Sequence, residues 1–443
     1  MFYINREAEL NEALLSKMIN KFNISIVPQL QKYKNYYDGL QSIIFDKKYS
    51  DETKPCNKTV INYCKNIVDS YNGYIATPNH ISYRSEQDIE AIMDVLRYND
   101  YQVEDSKFLF DALVFGVGSE LMYIDNSGHT RFRLINPLSC FGVCDDTLSG
   151  DLLYFVRMYK VNEWDESDLY NVDVYSDVSI KHYTMQGKNG SLHFINEEPH
   201  YFAQVPANIF TLPDEKSIFD CVIGLQDAAN ELLSAEIDDY TAFCDAYLAL
   251  VGVDANVEDI ALMKENRVLL LPEGALAQWV TKNASDAQVE NILKRIHEAI
   301  YRVAQCPDFS SESFVGGVSS GIAIQYRLTG METRAGNIEA EMKKALQRRI
   351  EIISGIASLK LGEEVFRDIE ITFKRNIPED ITATINMINS LKGTVSDATL
   401  LSQLPFVTDV NAELEKVEQQ KLHNLEVYSF APAEDKEEED ENE

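Results

Sequence analysis

Positive charge is scarce in this 443-residue chain: 40 Lys and Arg stand against 72 Asp and Glu, a formal net charge of −32. A chain this acidic has no global attraction for phosphate. That argues against a DNA-binding or polybasic membrane-surface protein unless basic residues gather locally. Long apolar runs are absent as well. The amino terminus, MFYINREAEL, carries Arg6, Glu7 and Glu9 with no apolar stretch behind them, so neither a signal peptide nor a membrane span is expected, and synthesis and residence in a cytoplasm are. Cysteines are few, seven in all, odd in number and scattered, which fits reduced buried thiols rather than a disulfide framework. The motifs of common chemistry are missing too. No GxxxxGK(S/T) phosphate loop, HExxH zinc helix, GxSxG elbow or GxGxxG dinucleotide turn occurs. An enzyme is therefore not expected, nor a cofactor or a metal, and any ATP-driven work belongs to a partner. Cys140 and Cys144 have no histidines at matching spacing and read as strand-end thiols. Residues 115–119, FGVGS, follow a helical pattern and precede a strand-like one. That is the reverse of the order a phosphate cradle needs, so a tight helix-to-strand turn is expected.

What is present is an ordinary apolar content, 45% with 10% aromatic, enough for a packed core in two or three domains. The fold class expected is α+β. Up to about residue 214, short helices mix with alternating strand patterns, such as 121–125 and 131–135 around a turn at 126–128, then 152–161 and 172–183. After Pro213 the period becomes helical. A first long helix over 218–248 places Ile218, Val222, Leu225, Ala229, Leu232, Tyr240, Phe243 and Tyr247 on one stripe. Asp220, Asp227, Glu231, Asp238 and Asp245 fall within about 40° of one another on the opposite side. From residue 217 to 263 there are ten acids and no Lys or Arg, whereas a merely solvated face intersperses signs, so a functional reason is expected. A compact segment over 251–285 follows, whose local positive charges are Lys264, Arg267 and Lys282. A second helix over 286–305 repeats Val289, Ile292, Ile296, Ile300 and Val303. Next comes the polar, glycine-rich 307–321, and then a helix over 322–361 with Met331, Ala335, Ile338, Met342, Leu346, Ile350 and Ile353 on its apolar stripe. Its charge is inverted, Arg327, Arg334, Lys343, Lys344, Arg348, Arg349 and Lys360 outnumbering its acids. A strand over 368–374, further helices capped by Ser396 and Asp409, and an acidic tail after Pro432 close the chain.

Several stretches, in this order, carry a resemblance. They are YKNYYDG at 33–39, NKTVINYCKNIVDSYNGY at 57–74, DDY at 238–240 and DAYL at 245–248. The strongest block is Pro307-Asp308, Phe314, Gly316-Gly317 and Ser320-Gly321-Ile322-Ala323-Ile324, with Tyr326 and Leu328. FKRNIP at 373–378, TVS at 394–396 with TLL at 399–401, and LPFV at 404–407 complete it. Over about residues 30–428 the chain resembles the portal proteins of long-tailed bacteriophages that infect Gram-positive hosts.

That resemblance implies a ring oligomer of about twelve copies at one capsid vertex, through which a motor drives double-stranded DNA. It implies a wing (1–214, completed by 363–377), two stem helices (215–249 and 286–306) and a small α/β clip (250–285). A tunnel loop (307–320), a tunnel helix (321–362), a helical crown (378–428) and a disordered acidic tail (429–443) complete the expected organisation. The implied partners are the terminase large subunit, major capsid and scaffolding proteins, a head-completion or adaptor protein and DNA passing without sequence preference, with no membrane. Ser310, Ser311, Ser313, Ser319 and Ser320 would meet DNA in the tunnel loop, with Phe309 and Phe314 anchoring the loop to its own helices. Asp220, Asp227, Glu231, Asp238 and Asp245 would line or approach the channel, where a negative wall avoids the friction of phosphate binding. An alternative places this acidic face against the basic half of a neighbouring tunnel helix. Lys264, Arg267 and Lys282 would face the terminase. A virion ring or scaffold protein without a DNA channel is the competing reading.

Overall fold

The computed structural model describes residues 1–48, 55–78, 80–160, 164, 168–243, 247–251, 276–280, 286–310, 321–356, 367–375, 381–401, 404, 407, 410, 413–414 and 416–421. The chain divides into two units, Met1–Gly317 with Tyr326–Asn376, and Val318–Gln325 with Ile377–Glu443. In the first unit, strands β1 (Phe2–Ile4), β5 (Cys140–Asp145), β6 (Leu152–Lys160), β7 (Leu169–Tyr175), β8 (Ser179–Gln186) and β9 (Leu192–Pro199) form one sheet in that spatial order. β1 runs parallel to β5 and the other neighbours are antiparallel. The single strand pattern read over 172–183 is two strands, because Asp177 and Val178 turn the chain between β7 and β8. Helix α1 (Glu12–Lys21) lays Leu15, Met18 and Ile19 on this sheet against Phe141, Val143, Val156 and Val172, all under a tenth exposed. At ~1.5–3 kcal/mol for each large apolar side chain removed from water, this is the main adhesive of the layer.

A second sheet, β10 (Ala207–Thr211), β3 (Val117–Ile124) and β4 (Thr130–Leu134), begins where helix α6 (Tyr101–Phe115) ends. Gly116 makes that junction at φ +81°, and a Cβ there would lie 2.7 Å from the Lys216 backbone. The helix-to-strand turn expected from FGVGS is thus present and has a steric basis. Cys140 and Cys144 lie near the two ends of β5, both buried. Helices α2 (Val27–Asp38), α3 (Ser42–Asp46), α4 (Tyr63–Ile75) and α5 (Glu90–Tyr98) surround these sheets, and β2 (Ile81–Arg84) pairs with β13 (Glu370–Phe373).

The long helices are α7 (Ile223–Phe243), α8 (Asp286–Ala304) and α9 (Gly321–Ser354). Between the first two, β11 (Tyr247–Val251) pairs antiparallel with β12 (Leu276–Val280), so the helix expected to continue to Leu248 has already given way to a strand. At ~1.5 Å per residue, the 34 residues of α9 span about 50 Å. The seven apolar positions read from its period are all buried, from Met331 to Ile353. Part of its positive charge goes into the protein. Arg349, fully buried, donates from Nε to Glu120 Oε1 at 2.9 Å and from Nη2 to Oε2 at 2.8 Å. Its Nη1 donates to Asp105, which also accepts from the Tyr83 hydroxyl at 2.9 Å. The guanidinium lies 4.4 Å from the Phe132 ring centroid. Burial pushes the Asp105 carboxyl up, and the two carboxylates hold Arg349 firmly protonated against the pull of its own burial. Arg375 similarly ties the end of β13 to α9 through Glu332, at 2.9 Å, and Glu339, at 2.7 Å. Lys343, Lys344 and Arg348 pair with Glu339, Glu341 and Glu351 along the helix surface.

In the second unit, α10 (Ile381–Leu391) and α11 (Asp397–Leu401) are helical, and Ser396 caps the latter by accepting from Thr399 N–H at 3.4 Å. Asp409, Lys360 and the acidic tail lie outside the described residues.

Candidate functional site

The face of α7 that packs inward is polar. Gln226, Asn230 and Ser234, four residues apart, are fully buried, and Asp238 continues the series. Residues 57–63 run alongside them. Gln226 Oε1 accepts from Tyr63 N–H at 3.0 Å, Asn230 Oδ1 from Ile61 N–H at 3.0 Å, Ser234 Oγ from Thr59 N–H at 2.9 Å and Asp238 Oδ1 from Asn57 N–H at 2.6 Å. Two residues of extended chain advance about 6.6 Å and four residues of helix about 6 Å, so every second amide of the segment meets every fourth side chain of the helix. This ladder satisfies backbone groups that neither a helix nor a sheet would otherwise satisfy. The sequence reading missed it; the Q-x3-N-x3-S-x3-D spacing was the available signal.

The acidic stripe is accordingly not one free surface. Asp220 accepts from the Tyr33 hydroxyl at 2.8 Å, and Asp227 from the Tyr36 hydroxyl at 2.8 Å and from Ser42 at 2.7 Å. Asp238 takes Lys47 as well as the Asn57 amide, which together outweigh its burial and hold its carboxyl below the usual range. Burial, with these carboxylates as acceptors, pushes the Tyr33 and Tyr36 phenols up to about 12. Three of the five carboxylates thus fasten α7 and the turn before it to residues 33–57, because hydroxyls and an ammonium withdrawn from water need a partner there. Glu231 is exposed, with no hydrogen bond or ion pair among the described residues. Asp245 lies outside them. The apolar stripe is likewise partial: Ile218, Val222 and Ala229 are buried, whereas Tyr240 is exposed.

α7 and α8 pack as an antiparallel pair, and one arginine of α9 closes the junction. Arg334 donates to Ala304 O at 2.9 Å and to Ile218 O at 2.8 Å, which brings the end of α8 level with the approach to α7. The Tyr71 hydroxyl donates to Ala304 O, at 3.0 Å, and to Gln305 O. Carbonyls orphaned at the carboxyl end of α8 are therefore met by a cation and a phenol, as the helix dipole favours. Ile300 is buried, but Ile292 and Val303, read as core positions, are 47% and 46% exposed.

Beyond Ala304 the chain is pinned once more. His297 Nε2 lies 2.9 Å from Asp308 Oδ2, and Asp308 Oδ1 accepts from Ser310 N–H at 3.0 Å and from its hydroxyl at 2.6 Å. Burial raises this carboxyl, but the Ser310 and His297 hydrogen bonds outweigh it, and Asp308 is held below its ordinary value. Phe309 is partly exposed. Ser311, Ser313, Phe314, Ser319 and Ser320 lie outside the described residues, as do Lys264, Arg267 and Lys282.

A pair of antiparallel helices and a helix of about 50 Å, fastened to an α+β body through Arg334, Arg349 and Arg375, define a scaffold rather than a catalytic centre. Among the described residues no group of three or more His, Cys, Asp or Glu could hold a metal, and no helix is long and apolar enough to cross a membrane. The family described as "Phage portal protein, SPP1 Gp6-like" matches residues 17–424, and the chain belongs to it. It is 20% identical over 412 residues to the portal protein of Bacillus phage SPP1, covering 88% of this chain and 80% of that one. The chain is thus a structural, non-enzymatic portal component of a phage capsid vertex, concerned with genome packaging.

Proposed function

We propose that this chain assembles into a ring of about twelve copies whose bore passes double-stranded DNA during packaging and ejection, that the ring retains the genome, and that it joins head to tail. The family match across 17–424 carries this reading. On it, residues 1–214 with 363–377 are the wing, α7 and α8 the stem, 250–285 the clip and 378–428 the crown. Lys264, Arg267 and Lys282 would face the terminase large subunit and afterwards the head-completion protein. Major capsid and scaffolding proteins would surround the wing.

The reading makes physical sense of the charge. Each Lys or Arg that neutralises a phosphate adds salt-dependent affinity, and a conduit for sliding DNA must avoid it. The buried or paired arginines of α9 are consistent with that demand. The acidic stripe enters in reduced form: its paired members hold the stem to the wing, and the stem remains negative because Asp227 is met by hydroxyls and Glu231 by no described cation. The Asp308 turn would set the start of the tunnel loop, whose Ser310, Ser311, Ser313, Ser319 and Ser320 hydroxyls would offer weak, exchangeable contacts to phosphate. Negative-stain electron microscopy of the purified protein should show closed rings with a central hole. Particles without a bore would instead favour a virion scaffold. Shortening 310–315 should alter the length of genome retained, and an unchanged length would remove the loop from contact with DNA.

A further inference from the structure

We propose that the cleft between the six-stranded sheet and the sheet β10–β3–β4 takes an extended segment of a partner protein that carries an aromatic or branched aliphatic side chain beside a carboxylate. The two sheets meet over a shared core of Leu121, Cys140, Phe155, Tyr175, Val205 and Ala207. Past that core a cleft of about 530 Å³ opens, lined from one sheet by Tyr123, Ile124 and Arg133 and from the other by Arg157, Tyr175 and Ile180. Its size and its apolar floor with a few polar groups are those of a ligand site. At the cleft Tyr201 is 72% exposed, Tyr123 39% and Ile124 38%, so three large apolar side chains face water around one opening. Exposed apolar surface that continues into a pocket marks a binding surface, and Tyr and Arg are among the side chains that carry most of the energy at such surfaces.

Charge selects the occupant. Arg133 and Arg157 reach the cleft from opposite sheets, while the carboxylates of this region are engaged by His182, whose ring nitrogens lie 2.7 Å from Asp173 and 3.3 Å from Glu198. Arg157 stands across the sheet from Asp173 yet has no ion pair among the described residues, and its guanidinium lies 4.3 Å from the Tyr159 ring centroid. Arg133 has its ion pair with Glu104 at 3.9 Å, too long for a hydrogen bond. Two guanidiniums without a close carboxylate, above an apolar floor, complement an acidic group attached to an apolar one. A nucleic-acid backbone fits worse, since it gains from rows of Lys and Arg and nothing from an apolar floor. The backbone favours an extended occupant. β10 pairs with β3 as far as Leu121, and Pro206 O accepts from Met122 N–H at 2.7 Å, so beyond Met122 that edge of β3 has no neighbouring strand among the described residues. The inference does not rest on the ring assembly, because every group it uses belongs to one unit of a single chain.

A library of random heptapeptides selected on the purified full-length protein tests the proposal. Sequences that set Phe, Tyr, Trp, Leu or Ile beside Asp or Glu should be enriched over those selected on the bare support. The most enriched peptide, followed by fluorescence anisotropy, should bind at least about tenfold more weakly to Arg133→Gln and to Tyr201→Ala. Both side chains are more than half exposed, so the variants should melt with the wild type and the loss reads binding rather than folding. Added salt should weaken the peptide, and a short DNA duplex should not displace it. Enrichment of basic or uncharged sequences, no enrichment at all, or an affinity unchanged in both variants overturns the proposal. Displacement by the duplex overturns it as well and assigns the arginines to phosphate.

Discussion

Replacing Arg349 by Met would leave Asp105 and Glu120 buried together without a cation. Both carboxylates and the guanidinium are fully buried, and the arginine makes hydrogen bonds to each of them. Removing one partner of a buried ion pair costs about 3–5 kcal/mol, because the remaining charge is neither solvated nor matched. Here two like charges remain, which places Arg349→Met at or above the upper end. Met recovers part of the contact with Phe132 and none of the charge. At roughly 2–4 °C per kcal/mol, the midpoint of the unfolding transition should fall by about 10–20 °C. Glu120→Gln should cost less, since Asp105 still faces the arginine. Asp105→Asn should cost least, because burial already favours its neutral form and Glu120 retains its bonds to Arg349. The triple variant Asp105→Asn, Glu120→Gln, Arg349→Met has no buried charge and should regain most of the loss. Thermal melts followed by circular dichroism give the ranking. An Arg349→Met protein melting within about 2 °C of the wild type would refute the account of how α9 is fastened.

Asn230→Leu removes the acceptor for Ile61 N–H and the donor to Gln41, so it should cost about 1–3 kcal/mol and hasten protease cleavage between residues 39 and 63; equal cleavage rates would deny the ladder its role. Burial pushes the Asp111 carboxyl up to about 7, so its contribution is complete below about pH 4 and is lost as pH rises through 7; Asp111→Asn should flatten that part of the stability curve, and identical curves would contradict it. Gly116→Ala meets both a positive φ and the Lys216 backbone, so soluble yield and melting temperature should drop together, while a neutral outcome would mean that the α6–β3 turn relaxes freely.

Periodicity made the long helices and most strands legible, since a buried stripe repeats whatever it packs against. The apolar positions of α9 were all found in this way, and the stretches from 33–39 to 404–407, taken in order, led to the family. What failed was the assumption that an inward face is apolar. Gln226, Asn230 and Ser234 are buried because the surface they meet is backbone, and backbone demands hydrogen bonds. The acidic face looked free for the same reason: its partners, Tyr33, Tyr36, Ser42, Lys47 and Asn57, lie some 180 to 190 residues earlier, and helix periodicity cannot see them. Ile292 and Val303 matched the spacing of a core stripe on α8 yet remain exposed, since one helix has more apolar width than a single neighbour can cover.

The contact between α7 and residues 57–63 also sets a rule for how this protein can change in length. Helix and segment advance together at four residues to two, so a deletion or insertion in either alone shifts every amide off its acceptor beyond that point. A change of four residues in α7 is absorbed by a matched change of two in the segment, which restores the pairing one step along. Related chains that lengthen or shorten this helix should therefore carry a compensating change about 170 residues upstream, at half the size.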